Sequence, residues 1–326
     1  MKRSCISLMA LSAVVAGVLL PFETPTARAS FVFSAPVQMA NINTVSCDTS
    51  PSITANGLEL YFASAHPYGG DLCQSQIWVV TRPTVKDPWG TPKKLDLPVN
   101  AGVVTAGPCI SADGLELYFY SGRNFLFAGD CRDQLGGYGQ TDLWVSKRTT
   151  REAPWGVPQN LGPAVNGAYS EMDPSISSDG LSLHFASYRD MNSSGIVFDL
   201  YVTTRPTKND PWGNAVRLPA PIPFTGNQFT PFLSPDGLSL YFSQSSNSRA
   251  YDVYVSRRAS LTAPWETPVP FTPVNSPLSE YAFTFAPGSS TIYFARSNNW
   301  PGVSWPCRQE LRLGRRRSLI FLKSFD

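Results

Sequence analysis

The sequence predicts an all-β fold, a five-bladed β-propeller of four-stranded blades closed by the N-terminal strand, with six blades, one of them degenerate, as the alternative. Three observations carry that expectation. A short segment recurs as "NGLELYF" (56–62), "DGLELYF" (113–119), "DGLSLHF" (179–185), "DGLSLYF" (236–242) and, more weakly, "SSTIYF" (289–294), with its phenylalanines 52 to 66 residues apart. Glycine (24) and proline (29) outnumber what a helical bundle tolerates, while charged residues are only 15% of the chain. Residues 36–43 repeat an outer segment of the later units, Pro36-Val37 aligning with Pro158-Gln159 and Ile42-Asn43 with Val165-Asn166, so the chain begins on a strand without a blade of its own.

Each unit reads in the same order. A short first strand such as "PSI" is entered through proline, and Asp-Gly or Asn-Gly then turns the chain, because both residues accept positive φ at little cost. The next strand alternates, as with Leu181, Leu183 and Phe185, which suits a strand with one face in a core. The third strand is "QIWVVTR" (76–82), "DLWVSKR" (142–148), "DLYVTTR" (199–205) or "DVYVSRR" (252–258), and a Pro-Trp pair then leads into a short outer strand. Such a sheet is too thin to exclude water alone and gains stability only by radial stacking. A ring also removes exposed edges, and residues 31–41 are placed to complete the last blade, whose own signature is lost after Arg296.

The ends differ from this body. Residues 1–29 carry Lys2 and Arg3, an apolar run and Ala27-Arg28-Ala29, the layout of a secretory signal peptide, so the mature chain is expected to start at Ser30 and to be exported to the periplasm or outside, with no stable membrane insertion once the leader is removed. The propeller is assigned to 30–300, and 301–326 to a divergent basic tail, either a diverged end or the product of a frame change. The chain carries +2 overall, residues 1–29 holding +2 and residues 301–326 holding +4, which leaves the body near −4 and argues against a nucleic-acid partner. Five cysteines follow the leader, and Cys47 with Cys73 and Cys109 with Cys131 are the obvious disulfide candidates. His66 and His184 are the only histidines and no C-x-x-C occurs, so no metal site and no cofactor is expected.

The segment "SPDGLSLYF" (234–242) and its copies resemble the WD40-like repeat of TolB-type propellers, called PD40, over roughly Asp48 to Arg296. The likeness is confined to the repeats. It implies an exported propeller that acts as a binding or interaction platform for a protein or glycan ligand, without catalysis.

The recurring polar residues read first as scaffold. Asp142, Asp199 and Asp252, with Gln76 in the same slot, stand six residues before Arg148, Arg205, Arg258 and Arg82 and suggest a structural ion pair or turn bond, and the Pro-Trp tryptophans are expected to pack between blades. The slot three residues before the first-strand proline differs among units: Asp48, Thr105, Glu171, Gln228 and, in the fifth, Glu280. A propeller's first strand is innermost, so these five residues are the candidate ligand site at the channel mouth, no catalytic residue being assigned. Three converging carboxylates are also what a glycan-active hydrolase requires, which is the alternative function.

Overall fold

A computed structural model of the chain describes residues 34–44, 47–65, 75–102, 104–122, 138–190, 197–222, 226–245, 250–286 and 291–297, and the backbone of 318–324. The leader 1–29, His66, Cys73, Cys131, Cys307 and most of the 301–326 tail lie outside these residues. So does the partner of each proposed disulfide, and Cys109 forms no disulfide among the described residues.

After β1 (Val37–Gln38) come four sheets, each made of four strands consecutive in the chain. They are β2 (Asp48–Ile53), β3 (Glu59–Ser64), β4 (Gln76–Thr81) and β5 (Lys93–Lys94); β6 (Thr105–Ile110), β7 (Glu116–Ser121), β8 (Asp142–Lys147) and β9 (Gln159–Asn160); β10 (Glu171–Ile176), β11 (Ser182–Ser187), β12 (Asp199–Thr204) and β13 (Val216–Arg217); β14 (Gln228–Leu233), β15 (Ser239–Ser245), β16 (Tyr251–Arg257) and β17 (Val269–Pro270). A further sheet has the order β1-β20-β19-β18, where β18 is Ser279–Phe285, β19 is Thr291–Ser297 and β20 is Ser318–Ser324. The fold is thus an all-β propeller with four-stranded blades, and helix is confined, among the described residues, to a 3-10 turn at Val99–Ala101. Among them no helix is long and apolar enough to cross a membrane.

The expected five or six blades need correction. Four blades are continuous in sequence; the remaining sheet is composite, and no sixth sheet occurs among the described residues. The third strand of the composite sheet comes from the segment assigned to the tail: β20 pairs antiparallel with β19 over Ser318–Ser324, and its other side pairs with β1. The run "SLIFL" (318–322) has the apolar and β-branched content of a strand although it lacks the Asp-Leu-Trp signature, and β19 would otherwise leave an open edge.

The repeated residues explain the repeated structure. Ser111 Oγ donates to Asp113 Oδ1 at 2.6 Å, the amide of Leu115 donates to the same oxygen, and Gly114 takes φ +77°, a conformation glycine accepts freely. The same turn recurs at Asn56-Gly57, Asp179-Gly180 and Asp236-Gly237. Phe62, Phe119, Phe185, Phe242 and Phe294 are each at most 1% exposed, and burial of that size contributes about 1.5–3 kcal/mol per side chain. The second strands bury both faces rather than one, as in β3 where Leu60, Tyr61, Phe62 and Ala63 are all buried, because each sheet is covered by a neighbour on either side.

The arginine at the end of each third strand does not pair with the aspartate that starts it. Six residues of extended chain span about 20 Å. Arg205 instead donates through Nε to the carbonyl of Gly180, stacks over Trp212 at 4.4 Å and forms an ion pair with Glu116 of the preceding blade at 3.0 Å. Arg148 repeats the arrangement with Gly114, Trp155 and Glu59. The tryptophans lie between sheets as expected: Trp155 meets Tyr61 edge-on, Trp212 meets Tyr118, and Trp89 of the first blade meets Tyr293 of the composite sheet. β18 in turn contacts β2, so the inner strands form a closed cycle.

Candidate functional site

All five inner strands share one device. Each ladder has a bulge, and the bulged residue lies in the left-handed region: Ser50 (φ 52°), Gly107 (60°), Asp173 (53°), Thr230 (48°) and Ala282 (54°). Four of these are not glycine, so backbone strain of order 1 kcal/mol or more recurs around the ring. Side chains then tie each inner strand to the next. The amide of Ile110 donates to Ser52 Oγ, that of Ile176 to Cys109 Sγ, that of Leu233 to Ser175 Oγ and that of Ala282 to Thr230 Oγ1.

These strands enclose an axial cavity of about 180 Å³. Its wall repeats with the blades: the bulged residues, then Pro51, Pro108, Pro174, Pro231 and Phe283, then an apolar layer of Ile53, Ile110, Ile176, Leu233 and Phe285. Phe232 adds an aromatic face. Asp173 is the one carboxylate of this wall among the described residues, and no lysine, arginine or histidine lines it.

Asp173 is held by its neighbours. Its carboxylate accepts the backbone amide of Thr230, and burial pushes it up to about 7, against the pull of that hydrogen bond. Beside it, Gly107 leaves room that no other residue would leave: a Cβ there would sit 2.7 Å from the Tyr120 ring and 3.2 Å from Asp173 Oδ1. Tyr120 replaces the alanine or serine found at this place in the other blades (Ala63, Ala186, Ser243, Ala295), and its phenol is pushed well above the ordinary range by burial and by the Asp173 charge. Gly107→Ala is therefore expected to cost about 2 kcal/mol in urea unfolding, from the ring contact rather than from φ alone, because alanine is accepted at 282. The same change made with Tyr120→Ala is expected to cost under about 1 kcal/mol.

The five residues singled out from the sequence stand two positions before the bulge and do not line the cavity. Asp48, Thr105, Glu171 and Glu280 have no exposed surface, and Gln228 is 1% exposed. The three acids fold back onto the amide four residues earlier. Asp48 accepts from Thr44 N at 2.6 Å, Glu171 from Gly167 N at 2.9 Å and Glu280 from Ser276 N at 3.1 Å. Glu171 is also bonded to Ser187 Oγ and paired with Arg189, and Glu280 is bonded to Ser276 Oγ and paired with Arg296. Burial raises both, Glu171 to about 7, although their arginines pull the other way. Thr105 Oγ1 faces Ser121 Oγ at 3.5 Å. What the structure brings together in the cavity is instead Ser50, Gly107, Asp173, Thr230 and Ala282.

No protein-family model and no curated protein matches the chain. Solved structures do. The catalytic domain of the GH62 α-L-arabinofuranosidase of Coprinopsis cinerea aligns at a TM-score of 0.52, 12% identical, covering 91% of this chain and 97% of that one. The endo-arabinase of Bacteroides thetaiotaomicron VPI-5482 aligns at 0.51, 17% identical, covering 89% and 96%. A putative TolB from Agrobacterium tumefaciens aligns at 0.48, 17% identical, covering 76% and 69%. At these identities the first two establish the shared propeller fold and nothing about chemistry.

Proposed function

We propose that this chain is an exported β-propeller binding module of the PD40/TolB-like type, its ring completed as a fifth blade by the composite sheet, with the ligand seated in the axial cavity. The observation that carries this reading is the wall of that cavity, drawn from all five inner strands and bearing, among the described residues, a single carboxylate. Export is supported by the leader pattern of residues 1–29. Glycoside hydrolysis in its usual form needs two carboxyl groups about 5–9.5 Å apart, both facing the sugar. The acids available for that purpose, Asp48, Glu171 and Glu280, are buried and bonded to their own connections, and this supports a role in holding the inner strands in place beneath the channel.

The two readings part in one experiment. The protein is incubated with arabinan, arabinoxylan and other plant glycans, and reducing sugar and retention on immobilised glycan are both measured. No release is expected from any of them, and Glu171→Gln is expected to lower the melting temperature without removing an activity. Release of reducing sugar that is lost in Asp173→Asn or Glu171→Gln would replace the binding module by a hydrolase.

A further inference from the structure

Several buried carboxylates in this protein carry counter-ions, while buried Asp142 is held by the amides of Tyr138 and Gly139 and the side chain of Asn160. Glu116 has Lys147 and Arg205, Glu171 has Arg189, Glu280 has Arg296 and Asp199 has Arg217. Asp173 forms no such pair among the described residues, and its wall of proline, isoleucine and phenylalanine supplies no cation. A carboxylate has about four acceptor positions, and one backbone amide fills one of them. Charge-assisted hydrogen bonds are about twice as strong as neutral ones, and aromatic faces attract cations. The volume sets the scale of the buried group: about 180 Å³ is close to the ~150 Å³ of an engineered cavity that takes benzene, so one ring or a short branched chain fits.

We infer that the axial cavity binds a small organic ammonium ion, its charged head on Asp173 and its single ring-sized apolar group among Phe232, Phe283 and Phe285. This rests on the binding-module reading and narrows its ligand. The titratable side chains near Asp173 are Tyr120, behind it, and Cys109, on the same wall; burial holds both protonated at neutral pH, the thiol at about 11, so the ligand meets one titrating group. Protonation of Asp173 below about 7 competes with the ligand.

Isothermal titration with benzylammonium, benzyl alcohol as its neutral isostere, and benzoate tests the assignment. At pH 8 benzylammonium is expected to bind at least about tenfold more tightly than the alcohol, and benzoate not at all. Asp173→Asn is expected to abolish that advantage while leaving the affinity for benzyl alcohol unchanged, which also reports that the cavity is intact. In the wild type, affinity for benzylammonium should fall between pH 8 and pH 5 by about the factor that separates it from benzyl alcohol at pH 8, tenfold or more. Equal binding of the alcohol, or an Asp173→Asn protein that keeps the preference for the cation, overturns the ammonium assignment and leaves channel binding standing. If the variant does not fold, an affinity that is flat from pH 8 to pH 5 overturns it instead. Failure of all three probes, together with failure of every glycan to be retained, overturns the binding-module reading as well.

Discussion

Arg205→Ala is expected to destabilise the protein by about 3–5 kcal/mol, read from urea unfolding followed by tryptophan fluorescence. The Arg205 side chain is 4% exposed and that of its partner Glu116 10%, so truncation removes the better buried of the two cations that hold this carboxylate, leaving it Lys147 and the Tyr118 hydroxyl. Three further interactions go with it: the bond to the Gly180 carbonyl at the turn, the bond to the Lys208 carbonyl and the stacking on Trp212. Lysine at 205 keeps the charge but has neither the planar fork nor the stacking face, and is expected to recover less than half of the loss. Adding Glu116→Gln to Arg205→Ala should return about 1–2 kcal/mol, since the under-compensated carboxylate is then neutral, although Lys147 loses its partner. Arg258 provides the internal comparison. It holds the Gly237 carbonyl and covers Trp265 in the same way, but the preceding blade has Ser182 where the others have Glu59 and Glu116. Arg258→Ala should cost only about 1–2 kcal/mol. Equal losses at 205 and 258 would mean that the inter-blade carboxylate contributes little and that the arginine acts within its own blade.

The contrast shows which parts of the molecule are legible in its sequence. Devices that act within a few residues are written in the repeat itself: Asp-Gly for the turn, Pro-Trp for the exit from the third strand, alternation for the strands between. Interactions that cross from blade to blade are not, because the partner stands 89 residues away for both Arg148 and Arg205 while the aspartate six residues away looks nearer on paper. The lining of the axial cavity is obscured for a different reason. In a regular strand positions 48 and 50 face the same side, but the left-handed bulge at Ser50, Gly107, Asp173, Thr230 and Ala282 breaks that period, and five different residue types there give no sign of a shared conformation. The signal for Asp173 was a lone carboxylate in a slot otherwise filled by Ser, Gly, Thr and Ala, next to the unmatched Tyr120. β20 escaped notice because its strand lacks the aspartate and tryptophan that mark the others, leaving only an apolar run in a basic context.

His184 should make one blade interface sensitive to acid. It occupies the place held by Tyr61, Tyr118, Tyr241 and Tyr293, is 4% exposed, and has its Nδ1 buried without a hydrogen-bond partner among the described residues. Burial lowers its pKa to about 4, and the charge of Arg258 adds to the effect. Its cross-strand neighbours, Ser175 and Val202, bring no charge, and Ser182 removes the carboxylate that would have offset a second cation. In the unfolded chain the imidazole titrates near 6.5. Between 6.5 and 4 the unfolded state therefore binds the extra proton, so the stability His184 contributes is fully present at pH 8, declines as the pH falls through 6.5, and is lost by about 3 kcal/mol at pH 4. Carboxylates raised by burial act in the opposite direction, Asp142, Asp199, Asp252 and Glu280 among them. Asp173 and Glu171, both raised to about 7, bind protons in the folded state and lose stability as the pH rises through that range. The wild-type profile is thus a sum of opposing slopes, and His184 is isolated only by subtraction. Urea unfolding of the wild type and of His184→Tyr at pH 8 and pH 4 should show the variant gaining about 3 kcal/mol on the wild type at the lower pH. Parallel profiles would mean that the imidazole is already solvated, or finds an acceptor on protonation, and that the interface between the third and fourth blades tolerates two cations as readily as one.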